Sequence, residues 1–428
     1  MAAVLIVLAG VFSIVTLLAG RSRGAQRIVM ERWAETLGTP EEVFARYPPR
    51  EMNSAARSLV DTTAVFGLDA LPRSDTESPR PEKAIIQRFR EFKIHNKSWF
   101  REQMTRTSAP VPSPPQFVTD YLAEFRDEID RVLDVLLGDT KPIWRSDISL
   151  LFSAPIPNLL AHVDLNNLLL TDSLVALESG DVARAERALE AAWELGAALE
   201  GDPEMINQLV RLSMMRLQAA TVRQMPWLDH WIQRLDGIQL RESMERSLLH
   251  NGWGWPQWDF SAREDDDMMQ RLGGAITGPF MTLSAADASE RWRRTILRLQ
   301  SLPSWCRPAL DRLEFSFKMP MPWWNRFGSI LAFDFELAVG RVARAQLQFE
   351  LTRKLLELAA TRRANGAWPI VGEPWLQSSA CPTDRWIYST TGSVASLELE
   401  REMYAVTATP MVWQFSLDER YVEPSRRK

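Results

Sequence analysis

A chain of 428 residues, 46% hydrophobic and 25% charged, has the makeup of a folded globular protein, which excludes wholesale disorder. Its net charge of −5 lacks the basic excess of a general nucleic-acid binder, so no nucleic acid is expected among its partners. The length allows two or three domains or one extended helical array.

Met1 to Gly20 contains no charged side chain and consists mostly of Ala, Val, Leu, Ile and Phe. Twenty helical residues span about 30 Å, the thickness of a bilayer's hydrocarbon core. A cleaved secretory signal would need a basic n-region and a small-x-small cleavage site, and neither is present, so residues 1–20 are expected to be an uncleaved single-pass anchor with the membrane as its partner. Arg21, Arg23 and Arg27 crowd its C-terminal flank, which by the positive-inside rule puts the rest of the chain in the cytoplasm.

Residues 21–116 are expected to be membrane-proximal helices and proline-rich linkers. Breaks fall at Gly38-Thr39-Pro40 and Pro48-Pro49, and a polar stretch from Leu71 to Pro81 reads as a linker. Between Lys83 and Arg101, Ile85, Phe89 and Phe92 share one helical face and Lys83, Arg88, Arg90, Lys93 and Lys97 lie elsewhere. Such a helix either rests on anionic lipid or is a surface helix with a solvated basic face. Ser108 to Pro115 is too rich in proline to be helical and marks the main boundary.

Residues 117–365 carry the helical hairpin domain. Val118, Leu122, Phe125, Ile129, Val132 and Leu136 step by four and three as one helix, ended by Gly138. Three helices follow between Pro157 and Met225, two of them a hairpin closed at Ser179-Gly180-Asp181. Their inward stripes are expected at Leu160, Val163, Asn167, Leu170, Leu174 and Leu177, then at Ala185, Leu189, Ala192 and Leu199. In the third, Pro203 suits the first turn, with Ile206, Leu209, Val210, Ser213 and Leu217 facing inward. Leu240, Met244 and Leu248 mark a helix stopping near Asn251-Gly252. Trp292, Ile296 and Leu299 mark another stopping at Pro303, and between them the acidic run Glu264 to Asp267 suits a helix N-terminus. The last long helix is expected from about Ser329 to Arg363, lined by Ala338, Val342, Ala345, Phe349, Leu356 and Ala359, with Thr352 the polar step and Asn365-Gly366 the stop.

The period changes in residues 366–428. Trp386-Ile387-Tyr388, a Thr-Thr-Gly turn and Val394 to Leu399 form a β-hairpin, joined by Val412 to Phe415, as a small C-terminal cap. The expected fold class is therefore mainly α: an N-terminal transmembrane helix, an irregular array of α-helical hairpins and a small β-containing cap. The 17 tryptophans serve chiefly in packing.

Signatures of chemistry are sparse. There is no HExxH, Walker loop or GxGxxG, no two of the four histidines share a zinc-binding spacing, and neither metal nor cofactor is expected. Cys306 and Cys381 fit no CxxC motif; two buried free thiols are expected, with pairing open if the compartment oxidises. His162, with Asp164, Asn166 and Asn167, could be a general base oriented by a nearby acid, although polar residues between helices commonly set register. The segment from His250 to Asp259 sets Trp253, Trp255 and Trp258 among glycines and a proline, a candidate aromatic platform for sugars or peptides or a plug at the end of a bundle. A hydrolase or carbohydrate-binding protein built on either group is the alternative to a scaffold.

Gly180 to Leu189 (GDVARAERAL) resembles the second helix of a tetratricopeptide-type repeat. More of the chain resembles a class of uncharacterised bacterial envelope proteins with an N-terminal anchor and a central helical hairpin. Tyr47-Pro48, Asn53 to Ala56, Gly366, Trp368-Pro369 and Tyr388-Ser389 carry that resemblance, with Cys381-Pro382-Thr383-Asp384 where the class has Asp-Pro. The resemblance implies this architecture and an envelope location, with a periplasmic body against the flanking arginines. A scaffold role with another envelope protein as partner is expected on a separate ground, since a stacked helical surface with no catalytic set most often binds other chains.

Overall fold

Periodic apolar residues become helices along most of the chain, and the one stretch whose period shortens to two becomes a sheet. The structure, a computed structural model, describes residues 2–70, 81–106, 111–257, 268–306, 325, 335–392, 394–400 and 412–416; the side chains of 2–16, 18, 152, 268–276, 335–337, 412 and 415–416 are outside that description. The linker expected at 71–80, the acidic run at 264–267, Trp258 and the start of the last long helix all lie outside the described residues.

Helix α1 (Ala2–Leu37) carries the uncharged N-terminal segment onward through Arg21, Arg23 and Arg27 without a break. Among the described residues no helix is long and apolar enough to cross a membrane, and the anchor expected at 1–20 falls where nearly every side chain is outside the description. Two capped helices follow at the expected breaks. In α2 (Pro40–Arg46), Thr39 and Glu42 form a capping box, and in α3 (Ser54–Val65), Asn53 accepts the Ala56 N–H.

The basic amphipathic segment is α4 (Lys83–Thr105), with Phe89 and Phe92 buried as expected. The single helix expected between Val118 and Leu136 is instead two, α5 (Gln116–Glu124) and α6 (Arg126–Leu137), with a break at Phe125. No glycine or proline marks this break. The bend turns Phe125 onto Tyr121, ring centroids 4.8 Å apart, and towards Phe66 at 6.4 Å, so aromatic packing overrides an unbroken period.

The three central helices are α7 (Leu159–Ser179), α8 (Val182–Ala197) and α9 (Met205–Val222). Gly180 turns the hairpin at φ +86°, where a side chain would be strained, and the Asp181 carboxylate caps α8 through the Arg184 N–H at 3.1 Å. Arg184 then locks three helices together. Its guanidinium meets Asp172 of α7 at 3.0 Å and Asp130 of α6 at 2.5 Å. Burial works against this charge, but the two carboxylates outweigh it and raise its pKa.

Two of the three expected inward stripes need correction. Leu160 is 72% exposed, Leu170 and Leu174 are buried as expected, and Leu165, Leu168 and Leu169 are buried beside them, because helices cover α7 on several sides. In α9, Ile206 and Ser213 face outward, while Asn207, Gln208, Arg211 and Gln218 face inward with Leu212, Met214 and Met215. The polar side chains have partners to meet there. Gln218 Nε2 donates to Asn166 Oδ1 of α7 at 2.8 Å and to the Ala192 carbonyl of α8 at 2.6 Å, and Gln208 Nε2 donates to the Leu199 and Asp202 carbonyls at 2.8 and 2.7 Å. The α8 stripe is buried as expected.

Beyond α10 (Trp231–Asp236), the helix expected to stop at Asn251-Gly252 runs on as α11 (Leu240–Gln257) and packs against α12 (Met268–Gln300). Gly252 is there for close approach, not for termination. The Trp292 indole of α12 lies over it and donates to the Leu248 carbonyl at 2.7 Å. Ser289 Oγ donates to the Gly252 carbonyl at 2.7 Å and accepts from Trp33 Nε1 of α1 at 2.7 Å. Arg32 adds a 2.9 Å ion pair to Glu290.

The last long helix, α13 (Phe335–Asn365), ends at Gly366 with φ +72° and lies along α9. A short α14 (Glu373–Leu376) leads to an antiparallel sheet of β1 (Trp386–Thr391), β2 (Val394–Leu399) and β3 (Val412–Ser416), in that order, with Trp386 opposite Leu399 and Leu397 opposite Trp413. Trp386, Ala395, Leu397, Leu399 and Trp413 are buried beneath it. Cys306 and Cys381 are not the free thiols expected; they form a disulfide that joins the chain beyond α12 to the cap. Glu350 of α13 holds the same turn, accepting from Ser378 Oγ at 2.6 Å and from the Ser379 and Ala380 N–H groups at 2.9 and 3.2 Å.

A Cβ at position 252 would stand 2.3 Å from the Trp292 ring, which its own hydrogen bond pins in place. Alanine favours a helix over glycine by about 1 kcal/mol, yet overpacking costs about 1–3 kcal/mol and wins here. Gly252→Ala is expected to lower the unfolding midpoint in urea, and an unchanged or raised midpoint would contradict this packing.

Candidate functional site

The residues singled out in the sequence do not converge. His162 is buried, its Nδ1 is 3.0 Å from the Asn158 carbonyl, and it meets the Trp144 ring edge-on at 4.6 Å. Asp164, its supposed orienting acid, pairs with Lys93 of α4 at 2.7 Å, and Asn166 is taken by Gln218. His250 is buried with Nε2 3.6 Å from Glu204 and stacks on Trp253 at 5.7 Å. The tryptophan loop is helical as far as Gln257: Trp253 is only 1% exposed, edge-on to Phe44 at 5.6 Å, and Trp255 is half-buried. Trp253 is thus a core residue rather than part of a platform, and Trp258 lies outside the described residues. Among the described residues no group of three His, Cys, Asp or Glu side chains is arranged to hold a metal ion.

A well-formed concavity lies elsewhere, in a groove of about 470 Å³ between α4, α7, α9 and α13. Its length is set by α4, whose Lys93, Lys97 and Arg101 recur every fourth residue and so stand on one stripe. Phe92, Phe100 and Met104 of α4 and Leu217 and Ala220 of α9 supply apolar lining. Across from the stripe, α9 contributes Arg216, whose Nε donates to Gln348 Oε1 of α13 at 3.0 Å.

The charge balance of this groove is one-sided. Four cations line it (Lys93, Lys97, Arg101 and Arg216) against one carboxylate, Asp164, which Lys93 already neutralises. Among the described residues, Lys97, Arg101 and Arg216 have no carboxylate partner. More positive charge stands behind Arg216. Its pKa is brought down to about 10 by burial first and then by Arg344 and Arg341, and buried Arg223 falls to about 10 through burial and the neighbouring Arg216. Arg223 is neutralised by no acid among the described residues; it donates to Thr352 Oγ1 at 2.9 Å and lies 5.4 Å from the centroid of the Trp413 ring. An arginine keeps its charge under any ordinary condition, so beside the larger effect of burial these neighbours add a repulsion that a bound anion would relieve.

These arginines were not picked out in the sequence, although a signal existed. Arg211, Arg216 and Arg223 interrupt the apolar pattern of α9 on more than one face, and Lys93, Lys97 and Arg101 keep helical spacing. What no spacing could show is that Arg216 shares one groove with Lys93, Lys97 and Arg101. Comparison with protein-family models, with curated proteins and with solved structures gives no match, so the site is interpreted from its geometry alone.

His162 provides a pH test of the core. Burial pushes its pKa from 6.5 down to about 4, with the Asn158 carbonyl pulling the other way. The unfolded chain binds a proton near pH 6.5 that the folded chain refuses, so stability is fully present above that pH and is lost as pH falls towards 4. The loss is roughly 3 kcal/mol over that window. His162→Gln is expected to flatten the pH dependence of the urea midpoint between pH 7 and 4.5, and parallel profiles for the two proteins would exclude a buried neutral histidine.

Proposed function

We propose that this chain is a membrane-tethered helical scaffold of the bacterial cell envelope, held by residues 1–20, with its helical body outside the cytoplasm and another envelope protein as partner. The observation that carries this reading is the continuity of α1. One helix contains the uncharged segment and, further along, Arg32 and Trp33, which are fastened to Glu290 and Ser289 of α12. Nineteen uncharged helical residues, 2–20, fall within the range that spans a bilayer core. A helix with one end so fastened presents the body at the membrane without an intervening linker.

The disulfide supports the side of the membrane. Cys306–Cys381 is a bond that persists in oxidising compartments and is rare in a reducing cytoplasm, which favours the periplasmic face over the one suggested by Arg21, Arg23 and Arg27. A stacked helical body of this kind serves naturally as a surface for other chains.

The test is made in cells. The chain is expected to pellet with membranes and to resist alkaline carbonate, and Ile6→Asp combined with Ile14→Asp is expected to move it to the soluble fraction. A thiol-reactive polymer is expected to label its cysteines only after reduction. Release by carbonate would overturn the tether, and labelling without reductant would overturn the compartment.

A further inference from the structure

We propose that the groove between α4 and α9 binds a single-chain amphiphile with a phosphate head and a neighbouring hydroxyl, the chemistry of a lysophosphatidic acid. The head is matched by the unneutralised cations Lys97 and Arg101 on one wall and Arg216 on the other. A dianionic phosphate answers several positive charges at once, and guanidinium groups bind it through paired N–H donors. Arg216 is oriented for this by Gln348, which holds only its Nε, so that its two terminal nitrogens have no protein acceptor among the described residues.

The hydroxyl and the chain are matched separately. Asn96 lines the groove and is 4% exposed; its Nδ2 donates to Thr171 at 2.8 Å, while its Oδ1 is buried without a hydrogen-bond donor. A hydroxyl beside the phosphate that reached this oxygen would supply the missing donor, a gain that a ligand lacking one cannot make. Phe92, Phe100, Met104 and Leu217 offer apolar surface to one hydrocarbon chain. A volume of about 470 Å³ falls in the range of small-ligand sites and suits one chain better than two. This inference stands on the groove and not on the proposed tether, so either can fail without the other.

The experiment uses the full chain, in phosphatidylcholine nanodiscs if it pellets with membranes and beside phosphatidylcholine vesicles if it does not, titrated with lauroyl lysophosphatidic acid. Partitioning into the bilayer is common to wild type and variants, so their difference reports the groove. Saturable binding of one molecule per chain is expected, at least about tenfold weaker in K97Q/R101Q and in R216Q. Lys97 and Arg101 are exposed, so the double variant probes the head without touching the core. Glycerol 3-phosphate and monolauroyl glycerol, each carrying half of the ligand, are expected to bind at least tenfold more weakly than the whole. Equal binding by wild type and folded K97Q/R101Q would overturn the site. Glycerol 3-phosphate binding as tightly as the lysolipid would overturn the amphiphile and leave a simple anion, and monolauroyl glycerol doing so would overturn the phosphate head.

Discussion

A buried polar column, α9, is the constraint on which the rest of the body depends. Burying an amide or guanidinium group costs several kcal/mol for a hydrogen bond left unmade, so the partners these groups do find weigh heavily on how the helices sit. Gln218 meets α7 and α8 from one position, Gln208 fastens the turn after α8, and Arg223 reaches Thr352 of α13. Apolar contacts alone would let these helices slide, since leucine and alanine surfaces are interchangeable over a turn. The amides fix their register. Arg184 does the same for α6, α7 and α8, where one cation between two carboxylates admits a single arrangement of three helices.

That polarity also accounts for which features of the fold were legible in the sequence. The hairpin turn at Gly180, the stop at Gly366, the break before α2 and the strands at 386–391, 394–399 and 412–416 announce themselves through local chemistry: a left-handed glycine, a glycine followed closely by a proline, a period of two. Which face of α7 or α9 points inward is a different matter. A helix surrounded on several sides has no single apolar stripe, so Leu160 and Ile206, though apolar, lie outside, while Gln218 lies within. Gly252 misleads for a related reason, since a glycine that admits a neighbouring indole looks the same in sequence as one that ends a helix.

The candidate site was less legible still. Histidines and tryptophans drew notice because they are the residues of familiar chemistry, but His162, His250 and Trp253 turn out to be packing residues with near neighbours. The cations of the groove are common residue types at ordinary spacings. Lys97 on α4 and Arg216 on α9 are brought to one cavity only by tertiary packing. An excess of positive charge within a chain that is acidic overall is visible only once the helices are assembled.

The bond between Cys306 and Cys381 closes a covalent ring of 75 positions that contains the whole of α13. By the chain-entropy argument a loop of that length raises the free energy of the unfolded chain by roughly 4–5 kcal/mol. It also decides which parts can come away separately. α1 can fray from its end, but α13 and the turn that Glu350 holds belong to one closed circuit, and a single protease cut anywhere in that circuit leaves both pieces attached.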